Sequence, residues 1–369
     1  MHRHETTEIE LMGKLSFPEG GLSVTEPPAR PTRIRTIHFV RSSVLKEAAP
    51  AVLLGILDGL DGPDTTASES ERSLQAGTMP AASELYVEIF QYMTRTFADL
   101  KAGRRIDLSD GRSIANRVVS HLASGSGLLR LALDRTTPSS IQLHSVNVSI
   151  IAAKIAQTLH WTDERIQRVA LAGLMHDLGA ARSPSLIFKS PSSADPDRLE
   201  MPLQSAELLS GQPEFEWLRR IVAQAHERED GSGYPMGLRT RDICDEAKVL
   251  GVADVFEICL RQNAQRAGLT GYAAMQIITS DEHGFTEQIR KAVIQSFSVY
   301  PYNEYVELNT GEVAVVTDIN PENALRPVVR VLYSVDRNPV SEPRSIDLTK
   351  YSQVWIRAAL TAADLPRKA

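Results

Sequence analysis

Residues 162–179 read TDERIQRVALAGLMHDLG. Thr162 followed by Asp163 and Glu164 has the form of an N-cap with acidic residues in the first turn, and Gly179 has the form of a stop. The spacing between them predicts one apolar helix that closes on the pair His176-Asp177. Such a pair can give one nitrogen and one carboxylate oxygen to the same ion, or let the carboxylate bridge two ions. A solvated pair at a frayed helix end is the alternative, and the apolar residues on every side weigh against it.

Three further helices carry the same pattern. Around His144, positions 144, 148, 151 and 155 are His, Val, Ile and Ile, which sets the imidazole on a buried face. Taken alone, such a histidine is more often a hydrogen-bonded core residue than a ligand. In PEFEWLRRIVAQAHERED, residues 213–230, Leu218, Val222 and His226 fall in one line and Trp217, Ile221 and Ala225 in the next, so His226 is expected to face inward. The following Asp230-Gly231-Ser232-Gly233-Tyr234-Pro235 is a turn whose glycines allow close backbone approach. In DEAKVLGVADVFEICL, residues 245–260, Asp254 shares a stripe with Ala247, Leu250, Gly251 and Ile258. A carboxylate buried there without a partner costs several kcal/mol, so a cation must face it. A lysine or arginine would serve, but a metal shared with the histidines explains why polar residues of four helices turn to one core.

The rest of the chain sets the frame. Its 369 residues are 42% hydrophobic and 23% charged, ordinary for a soluble globular protein, and no stretch approaches the ~18 apolar residues of a membrane span. The opening MHRHETTEIELMGK has no apolar core of a signal peptide, so a cytoplasmic chain is expected. A formal net charge of -6 argues against polymeric nucleic acid as a partner. The two cysteines, Cys244 and Cys259, lie in apolar helical patterns and make no disulfide framework. Residues 1–80 change character about every ten residues, with a Pro-rich run, a short strand-like RIRTIHFV, an apolar AVLLGILDGL that can form a helix and a linker-like DGPDTTASESERS. From Ala81, with Leu85, Ile89 and Met93 at spacing four, the pattern is helical to about Ser298. After that the period falls to two, through YVEL, a turn at Asn309-Thr310-Gly311, VAVV and VVRVLY. The expected architecture is mainly α: an irregular N-terminal region (1–80), a helical bundle domain (81–298) and a small C-terminal β-module (299–369).

HDLG at 176–179, HEREDGSGYP at 226–235 and ADVF at 253–256, in this order and at these distances, resemble the HD-GYP family of the HD phosphohydrolase superfamily over residues 84–300. Members of that family are metal-dependent phosphodiesterases of cyclic di-GMP, and the tail resembles the β-segment that often follows them. The resemblance implies His144, His176, Asp177 and Asp254 as the shared metal ligands, His226 as a further one, and Asp177 as the catalytic carboxylate. It also implies Gly233, Tyr234 and Arg266 at the substrate, with Gly231–Pro235 a loop that can meet a signalling-protein partner. Several family positions are changed. Ala180 stands where the family has a phosphate-supporting lysine, Met201 and Ala225 where it has histidines of a second metal, and Ser140 where some members have a glutamate. Asn263, Ala264 and Gln265 replace most of an RPYR-like run, of which Arg266 remains. The expectation is therefore a degenerate member in cyclic di-GMP signalling. It would hold one divalent ion, iron or manganese sooner than zinc, and bind a cyclic dinucleotide or other nucleotide with weak or no hydrolysis. The alternative is a working phosphodiesterase or phosphohydrolase.

Overall fold

The structure is a computed structural model and describes residues 69–135, 140–181, 196–261 and 268–366. The short strand and apolar helix expected within 1–68, and Arg266, lie outside the described residues. The fold is mainly α, with a small antiparallel sheet at its C-terminal end.

Helix α1 (Glu69–Lys101) opens the described chain and begins ahead of Ala81, where its apolar period becomes visible. Leu85, Ile89 and Met93 are fully buried, as their spacing predicts. Helices α2 (Leu108–Ser124) and α3 (Gly127–Ala132) lead to α4 (Ile141–Thr158), whose N-cap is Ser140, its hydroxyl accepting from the Leu143 N–H. Every residue of α4 from Leu143 to Ala153 is buried, so this is the central helix and its apolar character runs all round rather than along one stripe. Helix α5 (Asp163–Met175) is capped by Thr162 as predicted. It crosses α4 closely: a Cβ on Gly173 would lie 2.5 Å from the Ser149 Cα, and the Ser149 hydroxyl donates to the Ala170 carbonyl at 2.7 Å. Glycine is needed at 173 for that approach, and the approach brings the end of α5 beside the start of α4.

Helix α5 stops at Met175, short of the Gly179 that the sequence suggests. Residues 178–181 form a 3-10 turn instead, because the Gly179 N–H turns to the Ser205 hydroxyl on α6 (Pro196–Leu208) at 2.8 Å. Helix α7 (Glu216–Ala223) likewise ends before His226, which sits in the turn beyond it. Helix α8 (Asp245–Leu260) packs on α4 and is buried on almost every side. The stacked rings of Phe256 and Phe297, 5.0 Å apart, join it to α10 (Glu287–Phe297), with α9 (Gly271–Ser280) between them in the chain. Among the described residues no helix is long and apolar enough to cross a membrane.

Strands β1 (Tyr305–Leu308), β2 (Val313–Asp318), β3 (Val328–Tyr333), β4 (Ser345–Asp347) and β5 (Ile356–Leu360) form one antiparallel sheet in the order β4-β3-β2-β1-β5. Val306 pairs with Ala314 across the Asn309–Gly311 turn, where Gly311 takes a positive φ of 89°. The module has its own core, including Val306, Leu308, Val316, Val329 and Val331. A polar joint fixes it to the helices. The Arg135 guanidinium pairs with the buried Glu304 carboxylate at 3.0 Å and donates to the Leu269 and Asn303 carbonyls.

Candidate metal centre

Four elements bring five side chains to one point in the core: His144 from the first turn of α4, His176 and Asp177 from the end of α5, His226 from the turn after α7, and Asp254 from the middle of α8. All five are at most 5% exposed. His144 Nε2 lies 3.2 Å from His176 Nε2, 3.2 Å from Asp254 Oδ1 and 3.4 Å from Asp177 Oδ2. His226 closes the other side, its Nδ1 3.4 Å from Asp254 Oδ2 and its Nε2 3.7 Å from Asp177 Oδ1. Ligand atoms of His144, His176 and Asp254 all fall within 4.8 Å of one another, close enough to share an ion.

The hydrogen bonds around the cluster decide what it can hold. His144 Nδ1 faces Glu257 Oε2 at 2.7 Å, and His176 Nδ1 faces the Gly173 carbonyl at 2.8 Å. With a proton on each Nδ1 donated to those oxygens, both Nε2 atoms carry lone pairs, and two lone pairs pointing at each other across 3.2 Å repel unless a cation lies between them. Three further buried atoms, Asp177 Oδ1, His226 Nε2 and Asp254 Oδ1, have no hydrogen-bond partner. Charge gives the same answer. Glu257 is paired with Arg261, which leaves Asp177 and Asp254 as two uncompensated carboxylates in a dry core. A divalent cation cancels them, so the donor set fits a metal of mixed nitrogen and oxygen preference.

In the absence of a metal, protons take its place. Burial pulls the His144 imidazole down, but the Glu257 carboxylate, with Asp177 and Asp254, outweighs burial and holds it well above the usual histidine value. His226 goes up to about 10 in the same way, against its burial, through Tyr234, Asp177 and Asp254. Burial pushes Asp254 up and the three imidazoles pull it further down, so it stays ionised. Asp177 behaves alike.

The glycine loop predicted at 231–235 folds inward. The Tyr234 ring stacks on His226 with centroids 4.9 Å apart and planes within 9°, and the Tyr234 N–H donates to the His226 carbonyl at 3.2 Å. Gly233 lies against backbone: a Cβ there would be 2.4 Å from the Arg228 nitrogen and the Glu227 Cα. Its absent side chain lets the loop close on the segment that carries His226. Glu227 then clips the far end of the loop, one oxygen accepting from the Met236 N–H at 2.7 Å and the other from the Leu238 N–H at 2.9 Å. Burial pushes the Glu227 carboxyl up to about 7 against those donors.

Ala180, Met201 and Ala225 are all buried, and none offers a hard-ion ligand or a cation. Sequence reasoning missed Glu257, Asn147, Glu227 and Tyr86. Glu257 was within reach: it lies one turn beyond Asp254 on a helix that is otherwise apolar, so the question put to Asp254 applied to it equally.

A family profile described as an HD domain matches residues 120–284, and a second, described as a KOW domain associated with HD domain, matches 305–368. A cyclic di-GMP phosphodiesterase of Pseudomonas aeruginosa is 26% identical over 86% of this chain and 80% of its own length. The cyclic di-GMP phosphodiesterase PdeB of Borreliella burgdorferi is 24% identical over 56% of this chain and 57% of its own length. A cyclic di-GMP phosphodiesterase response regulator of Xanthomonas campestris is 33% identical over 35% of each chain. Among solved structures, a HDG"Y"P protein from Bdellovibrio bacteriovorus shares the fold, with a TM-score of 0.50 and 19% identity over 66% of this chain and 76% of that one. With an HD-domain match over residues 120–284, the buried His and Asp cluster and the Gly-Tyr-Pro loop in one chain, this protein is an HD-domain protein similar to the HD-GYP phosphodiesterases.

Proposed function

We propose that the chain works in cyclic di-GMP signalling by holding one divalent ion, iron or manganese, at His144, His176, Asp177, Asp254 and His226, and taking a cyclic dinucleotide at that ion. The observation that carries the reading is the pair of Nε2 atoms facing each other across 3.2 Å beside the buried Asp177 and Asp254 carboxylates. A divalent ion at this point would supply Lewis-acid stabilisation of charge on a phosphoryl oxygen. The protein's own groups do the rest. In this reading Asp177, whose Oδ1 makes no hydrogen bond, would orient an attacking water, and His226, stacked on Tyr234, would hold one wall of the site. With Ala180, Met201 and Ala225 in place of a lysine and two histidines, the second metal and one phosphate contact are missing, and hydrolysis should be slow.

The competing reading is a working phosphodiesterase. The intact five-residue cluster favours it, as do the names of the relatives, which include a 3'3'-cGAMP-specific phosphodiesterase of Vibrio cholerae. Elemental analysis of protein purified without chelators, together with hydrolysis of cyclic di-GMP and 3'3'-cGAMP, separates the two. The proposal expects one ion per chain, lost in His176→Ala, and turnover well below ~1 per second. Two ions per chain, with faster turnover that vanishes in Asp177→Ala, would establish the working enzyme instead.

A further inference from the structure

Behind His144, on its Nδ1 side, a buried chain of hydrogen bonds runs out to helix α1. Glu257 Oε2 holds His144 Nδ1 at 2.7 Å. The other oxygen, Oε1, accepts from the Asn147 side-chain amide at 3.0 Å and from Arg261 Nε. The Asn147 carbonyl oxygen accepts in turn from the Tyr86 hydroxyl at 2.6 Å. The amide uses both ends, so its orientation is fixed by the network. Arg261 is also anchored through the Ala132 carbonyl at 3.3 Å and interacts with the Tyr86 hydroxyl. Asn147 and Glu257 are fully buried, and Tyr86 stands on α1, the helix through which the chain enters the domain from residues 1–68.

We propose that Glu257 is the positioning residue that fixes His144 as an Nε2 ligand, and that Tyr86, through Asn147, ties the placement of α1 to the affinity of the metal site. The physical basis is that a carboxylate on the far nitrogen of a ligating imidazole sets its tautomer, its ring angle and its basicity. Glu257 does this only while its own oxygens are held. Of the two groups that hold Oε1, Asn147 is the one that accepts a hydrogen bond from a side chain of α1. A shift of α1 that withdraws the Tyr86 hydroxyl frees the amide to rotate, and Glu257 then loses one of the two donors that keep its second oxygen in place, with Arg261 left as the other. The helix that leads in from the N-terminal residues is thus joined by three hydrogen bonds to a metal ligand.

The inference rests on the metal reading, and the test distinguishes their failures. Mn2+ affinity is measured by calorimetry on chelator-stripped full-length protein for wild type, Glu257→Gln, Tyr86→Phe and the double variant, with circular dichroism to confirm the fold. Glu257→Gln should weaken Mn2+ binding ~10–100-fold. Tyr86→Phe, which keeps the ring and removes only the hydroxyl, should weaken it several-fold. In the Glu257→Gln background the same change should do nothing further, since the two act along one path. No Mn2+ binding by wild type would remove the metal reading itself. Wild-type binding with an unaffected Tyr86→Phe, or equal effects of Tyr86→Phe in both backgrounds, would overturn the coupling. If Glu257→Gln does not fold, Tyr86→Phe alone still decides it.

Discussion

Gly233→Ala should damage the metal centre without touching a ligand. Gly233 does not take a positive φ, so alanine meets no backbone penalty, and the whole cost is steric. Its Cβ would stand 2.4 Å from both the Arg228 nitrogen and the Glu227 Cα, and 2.5 Å from the His226 carbonyl oxygen. Ordinary contact begins at 3.4 Å, so the loop must retreat by 3.4 − 2.4, about 1 Å, and all three neighbours are backbone that cannot swing aside. Overpacking of this kind costs ~1–3 kcal/mol, and the stiffer unfolded chain offsets ~0.4–1 kcal/mol of that loss. A retreat of that size also stretches the 3.2 Å Tyr234 N–H bond to the His226 carbonyl beyond hydrogen-bonding reach and slides the Tyr234 ring off the imidazole. The expected result is a melting temperature lower by ~1–10 °C and Mn2+ binding weakened by ~10-fold. Ser232→Ala is the control, because the Ser232 backbone N–H that donates to Asp230 remains. A Gly233→Ala protein that melts and binds Mn2+ like wild type would refute the view that this glycine lets the loop brace His226.

Three further outcomes follow from the same geometry. His226 in the metal-free protein is raised to about 10 from an ordinary 6.5, so its contribution to stability is whole below pH 6.5 and lost as pH climbs toward 10. Urea midpoints of stripped protein should fall across that window, and flat midpoints would contradict the raised value. Metal binding requires deprotonated ligands, so Mn2+ affinity should rise over the same window, and an affinity that falls with pH would count against histidine ligation. Arg135→Met removes the cation from the buried Glu304 carboxylate and leaves it only the Gly271 and Tyr272 N–H donors, for a loss of ~3 kcal/mol in chemical unfolding; a loss near zero would mean the ion pair does not stabilise the joint.

The sequence by itself determined the helical core, the β-module and four of the polar positions that converge. Apolar period, caps such as Thr162 and a His-Asp pair at a helix end are local signals, and local signals survive in a linear reading. The inward placement of His226 was also legible, although for the wrong reason: the spacing placed it on a helix, and the chain presents it from a turn. Tertiary structure alone decided the rest. The Ser149–Gly173 crossing sets α4 against α5 closely enough to bring two imidazole nitrogens to 3.2 Å, and no periodicity encodes that distance. The glycines of the Gly231–Pro235 loop announce a close backbone approach, but only the fold shows that Gly233 is seated on the backbone of residues 226–228. The path from Tyr86 to Glu257 spans residues far apart in the chain, and a hydrogen bond between distant residues leaves no mark on either one's neighbours. Composition and period report which faces are buried; only packing decides which buried polar groups meet.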